Sequence, residues 1–137
     1  MKIIENCWDG LGAFDCQYGA ELLLGDTFTV YVSNWLFVPK DIAPLFSRIN
    51  EAGCVGHCLL KFVGVSRVRT EVKIYSRIED EVRWSEPVIV ERFSSGKGVV
   101  EYDFSGTFKG FQSSVDFLVV ADSFELHILD RDEPAKE

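Results

Sequence analysis

Cys54-Val55-Gly56-His57-Cys58 brings two of the four cysteines and one of the two histidines within five residues. Residues of these types can ligate a metal, exchange electrons as a dithiol, or supply a nucleophile and its base. Structural zinc takes four ligands, usually in pairs with C-x₂₋₄-C spacing. Cys54 and Cys58 make one such pair, but Cys7, Cys16 and His127 lie far away and have no pair spacing. A dithiol redox site favours CxxC at a helix N-terminus, whereas this cluster runs into CLLKFVGV, an apolar strand pattern. A nucleophilic cysteine needs an adjacent base held by a third group. On one strand Cys54 and Cys58 share a face and His57 points to the other. Free cysteine behaves as a small buried hydrophobe, so both cysteines are read as core packing. His127, between Glu125 and Leu129 on the face opposite Phe124, Leu126 and Ile128, reads as a rim histidine. No catalytic residue, metal or cofactor is expected.

Other constellations reduce in the same way. Ser94-Ser95-Gly96-Lys97-Gly98 lacks the first glycine of a phosphate loop, has Gly where Ser or Thr should follow the lysine, and leads into a strand. A hairpin turn accounts for it. Asp9 and Asp15, or Glu79-Asp80-Glu81, do not have the alternating oxygen ligands of a calcium loop. Glu101 and Asp103 share one exposed strand face, which suits a solvated negative surface. Among the tryptophans, Trp35 follows an apolar strand and is expected in the core. Trp84 lies among Glu81, Arg83 and Glu86 in the most polar stretch and is the candidate exposed anchor, since tryptophan is enriched at binding hot spots.

The elements that position these residues are mostly strands. Lys2–Trp8 forms a first strand and Asp9–Gly19 a glycine-containing loop. In TFTVYVSNWLFV, Phe28, Val30 and Val32 alternate with Thr27, Thr29, Tyr31 and Ser33, the period of a half-buried strand. Ile42, Leu45, Phe46 and Ile49 then fall at helical offsets after Asp41, with Gly53 as a stop, and predict one short α-helix over about 41–52. Strands follow at 54–64, 67–76, 88–93, from Val100 to Phe108 and over 115–129. In the last, buried parity flips near Asp122-Ser123. Either a β-bulge that bends the strand from one sheet toward another or a tight turn absorbs the extra residue. The architecture is mainly β, an antiparallel β-sandwich or partly open barrel with one helix. A single domain covers 1–130, and 131–137 is a charged tail expected to fray.

The chain of 137 residues carries a formal charge of -8, of which -6 falls from Arg69 onward, where fifteen acids face nine bases. Such a surface repels phosphate and argues against nucleic acid, while it speeds encounter with a basic partner. No run approaches the ~20 apolar residues of a membrane span. Met1-Lys2-Ile3-Ile4-Glu5 reaches a carboxylate before a secretory apolar run forms, so a cytoplasmic location is expected.

EYDFSGTFKGFQSSVDFLVVADSFELHIL, with its strand pattern, turn glycines and closing SFEL, resembles the last hairpin of small all-β bacterial immunity proteins. The resemblance covers about a quarter of the chain and implies a toxin partner neutralised by occlusion, with no catalytic residues to carry over. The reading is a non-catalytic acidic binding protein. Trp84 is its anchor and Glu71, Glu79, Asp80, Glu81, Glu86, Glu101 and Asp103 form the face that meets a basic protein partner. The alternatives are a small-molecule-binding barrel or enzyme whose cavity is lined by Tyr102, Phe104 and Phe108, and a scaffold that forms a homodimer through exposed strand edges.

Overall fold

The computed structural model describes residues 1–134. Its strands are β1 (Lys2–Glu5), β2 (Cys16–Leu24), β3 (Thr27–Asn34), β4 (Arg48–Ile49), β5 (Val55–Gly56), β6 (Cys58–Val63), β7 (Arg67–Ile78), β8 (Glu81–Trp84), β9 (Val88–Phe93), β10 (Val100–Phe108), β11 (Ser113–Ala121) and β12 (Ser123–Ile128). Ten of them form one sheet in the order β1-β12-β6-β3-β2-β10-β11-β7-β8, with β9 also on β7. Neighbours are antiparallel except where Gly106–Phe108 of β10 runs parallel to Cys16–Tyr18 of β2. The sheet does not close. It folds over so that Phe62 of β6 stacks on Phe104 of β10 across the interior, with centroids 5.4 Å apart. This is the mainly β sandwich or partly open barrel that the alternation predicts.

Two chain segments carry the fold-over. β6 continues through Gly64-Val65-Ser66 into β7, and β11 continues through Asp122 into β12. β7 pairs with β11, and β6 with β12. Val115, Phe117, Val119 and Ala121 are buried before Asp122, and Phe124, Leu126 and Ile128 after it. The parity flip thus marks the residue at which the strand leaves one layer for the other. At this corner Gly98 lies so close to the chain that a Cβ there would meet the Ala121 carbonyl carbon at 2.0 Å.

The core is aromatic. Trp8 packs edge-on against Phe62, Tyr102, Phe104 and Phe124 at centroid distances of 4.9 to 5.8 Å. Phe104 stacks on Phe117 at 4.7 Å. Edge-to-face and offset pairs each add to the stabilisation from burial.

The helix expected over 41–52 does not form. Only Ala43–Leu45 makes a 3₁₀ turn, and Arg48–Ile49 pairs instead with Val55–Gly56. The apolar spacing is present, yet Leu45 and Ile49 are exposed and only Phe46 is buried. Asn50 holds the competing conformation, its side-chain oxygen accepting from the Ala52 and Cys54 N–H groups. An isolated helix of this length is marginal in water, so one such side-chain turn is enough to displace it. Trp35 is also not in the core: it is 48% exposed at a left-handed φ of 70°. The strand expected over 54–64 is broken at His57, whose φ is 60°. Of the segment expected to fray, Glu133 accepts from the Asp130 N–H at 3.0 Å, and residues 135–137 lie outside the described residues.

Candidate interaction surface

β7 is long enough to outrun the sandwich. Its first half, Arg67–Val72, pairs with β9, and its last residues, Tyr75–Ile78, pair with β8. Glu79 and Asp80 make the connection between Ile78 and Glu81 with φ of 50° and 68°. Two left-handed residues give the type I′ geometry whose twist matches that of the flanking strands. Every residue from Ser76 to Glu91 is exposed. This arm holds Trp84, 52% exposed and braced by its cross-strand neighbour Tyr75 at a centroid distance of 4.7 Å. Beside Trp84 lies a shallow groove of about 330 Å³ formed with Lys73, Ser85, Pro87 and Ser114.

The seven carboxylates do not form one face. Register across β10, β11, β7 and β9 sets out rows on the outer side of the sheet. One is Glu101–Val120–Arg67–Phe93, the next Asp103–Leu118–Arg69–Glu91, and the third Ser105–Asp116–Glu71–Ile89. Glu71, Glu101 and Asp103 therefore share that side with Trp84, but arginines are interleaved among them. Glu91 is paired with Arg67 at 2.5 Å and lies 3.9 Å from Arg69. Glu71 directly opposes Asp116, a carboxylate that the sequence reading did not single out. Glu79 and Asp80 sit at the tip, roughly 25 Å along β7 from Glu71 at ~3.3 Å per residue. Glu81 lies 3.6 Å from Arg83, and Glu86 stands in the break before β9. Between Ser76 and Glu91 five acids face two bases.

Of the CVGHC stretch, Cys58 packs in the core as expected, whereas Cys54 precedes β5, is only half-buried and stands outside the core cluster. His57 sits with Nδ1 2.8 Å from the Tyr31 hydroxyl and Nε2 2.9 Å from the Asp130 carbonyl oxygen. The neutral ring satisfies both when Nε2–H donates to the carbonyl and Nδ1 accepts from tyrosine. The Cys58 thiol is buried and its pKa is pushed up by desolvation. Desolvation likewise pushes Cys16 up to about 11. Both are thus poor thiolates and poor nucleophiles. Among the described residues no group of three or more His, Cys, Asp or Glu gathers as a metal would require. His127, expected at the surface or rim, is buried instead, with Nε2 2.8 Å from Glu125. Tyr102 and Phe104 are buried and Phe108 is partly buried, all three within the packed aromatic interior. Among the described residues no helix is long and apolar enough to cross a membrane. No protein-family model, curated protein or solved structure matches this chain.

Proposed function

We propose that this chain is a non-catalytic binding protein that engages a basic protein partner through its β7–β8 arm. Trp84 is the anchor on this reading, and Glu79, Asp80, Glu81 and Glu86 supply the charge around it. The observation that carries the proposal is the arm itself: twelve consecutive exposed residues, 76–87, presenting a tryptophan braced on Tyr75. A cross-strand aromatic pair fixes the ring before binding, which lowers the ordering cost at an interface. Glu71, Glu101 and Asp103 add long-range attraction, not contact, because arginines are interleaved among the charges of their face. The aromatic interior at Phe104 favours this reading over a ligand cavity, since that ring is fully buried against other rings, while Tyr102 lines an open cleft with Trp8, Asp9 and Glu101. That the partner is a toxin rests on the resemblance of the last hairpin alone.

The test is capture from the native source with the wild-type chain and with Trp84→Ala as paired baits, at two salt concentrations. A partner with a basic isoelectric point, retained by wild type, lost with Trp84→Ala and released by salt, is the expected result. Screening shortens the Debye length from ~8 Å at 0.15 M to ~3 Å at 1 M. Equal recovery by both baits removes Trp84 as the anchor, and recovery indifferent to salt removes the role of the carboxylates.

A further inference from the structure

Backbone hydrogen bonding is what β9 leaves unused. In an antiparallel ladder alternate residue pairs exchange their N–H and C=O groups, and the residues between them point theirs the other way. Ser94 N–H donates to the Ser66 carbonyl at 3.2 Å, which continues the β7–β9 register in which Arg67 faces Phe93. The even-numbered residues of β9 therefore bond to β7. β7 confirms the phase from its other side: Tyr75 N–H donates to Gln112 O, so its odd-numbered residues bond toward β11. Ile89, Glu91 and Phe93 consequently direct their N–H and C=O groups away from the sheet, where among the described strands none pairs with them.

This edge has little of the usual protection: its two charged residues, Glu91 and the inward-pointing Arg92, are each already paired within the chain. It contains no lysine, internal proline or bulge. Val88, Ile89, Val90 and Phe93 are 61%, 49%, 46% and 71% exposed. The opposite edge of the sheet, β1, is different: it is four residues long and carries Lys2 and Glu5 at its ends.

We propose that the occupant of this edge is a second copy of the chain. The two β9 strands would pair antiparallel about a two-fold axis normal to the sheet through Glu91. In that register Ile89 lies opposite Phe93 of the other copy on the outer face, and Val90 opposite its Arg92 on the inner face. Ile89, Glu91 and Phe93 each meet an outward-pointing partner, so every free group of the strand is satisfied. The two Glu91 carboxylates meet at the axis, where Arg67 and Arg69 of each copy already hold them. The neighbouring register, centred on Val90, sets Ile89 against Glu91 and brings Phe93 opposite Pro87, which has no N–H to give. The opposed carboxylates are like charges that the flanking arginines of both copies must neutralise, so it is the self-complementarity of the hydrogen bonds in the register centred on Glu91 that selects a second copy as the occupant. It is independent of the part assigned to Trp84. Six residues per strand make an interface at the small end of the range for specific complexes, so dimerisation should depend on concentration.

Sedimentation over a concentration series should show the mass rising from 15.5 kDa toward twice that value. Ile89→Lys and Phe93→Lys each place a charge on the exposed edge and should weaken the dimer at least about tenfold. Circular dichroism melts show that each variant is folded. Glu91→Cys supplies the positional readout. Directly opposed residues of a hydrogen-bonded pair have Cα atoms ~5.5 Å apart, within disulfide reach, so mild oxidation should link two copies. Glu101→Cys, on the same face but two strands inward, should not. A chain monomeric throughout the series overturns the inference, as does a dimer indifferent to both lysine variants or a Glu91→Cys protein that does not cross-link.

Discussion

Phe104 is the residue at which a filled interior and a ligand cavity predict different numbers. The ring is completely buried. It stacks on Phe117 at 4.7 Å and Phe62 at 5.4 Å, and meets Trp8 and Tyr18 edge-on at 5.7 Å and 5.8 Å. Phe→Ala in a core costs about 3–5 kcal/mol through lost transfer energy and residual cavity. Ring pairs add about 0.5–1.5 kcal/mol each in favourable geometry. With four ring neighbours drawn from both layers, the gap cannot collapse by moving one strand, so Phe104→Ala should cost about 4–5 kcal/mol. That is a large share of the roughly 7–15 kcal/mol available to a domain of this size. Phe104→Leu keeps most of the volume and should cost only about 1–2 kcal/mol. The measurement is urea unfolding followed by far-UV circular dichroism, with the m-value as the check that the denatured state is unchanged. A loss below about 1.5 kcal/mol for the alanine variant would mean that the ring fronts open space. The packed-interior argument against a ligand cavity would then fail.

Arg92 and Glu21 tie β9 to β2 across the open side of the sandwich, with bonds of 3.0 and 2.7 Å, and the guanidinium lies 5.4 Å over the Phe28 ring. Their side chains are 30% and 25% exposed, between surface and core. A double-mutant cycle with Arg92→Met and Glu21→Gln should give a coupling of about 1–2 kcal/mol, and a value below about 0.5 kcal/mol would reduce the pair to decoration. The termini are clasped by charge: the Met1 ammonium sits 2.8 Å from Asp130 and 3.2 Å from Glu133. The hydrogen bond to Asp130 raises the amine above its ordinary 8.0, so its contribution is complete below pH 8.0 and lost as pH climbs through the raised value. The bond from Met1 lowers Asp130 below 3.8, and the Asp130 N–H lowers Glu133 below 4.5. Their contributions are complete above those values and lost as pH falls through the lowered ones. Titration of the Met1 amine by NMR should show a pKa above 8.0, and N-terminal acetylation should speed amide exchange around Leu129–Asp130. An amine titrating at 8.0 or below would refute the clasp.

Much of the β architecture can be read from parity. Phe28, Val30 and Val32 alternate in sequence and are buried in the structure, and the flip at Asp122 reports the corner because side-chain direction has a period of two. The same kind of reading failed over 41–52. Helical offsets among Ile42, Leu45, Phe46 and Ile49 describe what a helix would bury, but not whether a helix outlasts the turn held by Asn50. Trp35 was misread for a related reason. It follows the buried run of β3, but its φ of 70° turns it out of the strand, and periodicity contains no dihedral angle.

Surface chemistry was legible by composition and not by place. The polar neighbours of Trp84 point to exposure but leave core filling open, and the structure decides for exposure. That Glu71 faces Asp116, or that Glu91 is held by Arg67, depends on which strands neighbour one another, and sequence spacing does not fix strand order. Val88-Ile89-Val90 is the sharpest case. A short apolar run is equally consistent with a central buried strand and with an edge, and only the topology shows that β9 has a neighbour on one side. An apolar run in a central strand is explained by the core it faces. The same run at an edge, exposed and with alternate backbone groups unpaired, has no such explanation within the monomer. The apolar character of β9 is thus the observation on which its proposed pairing with a second copy rests, and Ile89, Glu91 and Phe93 are the residues whose backbone groups that pairing would satisfy.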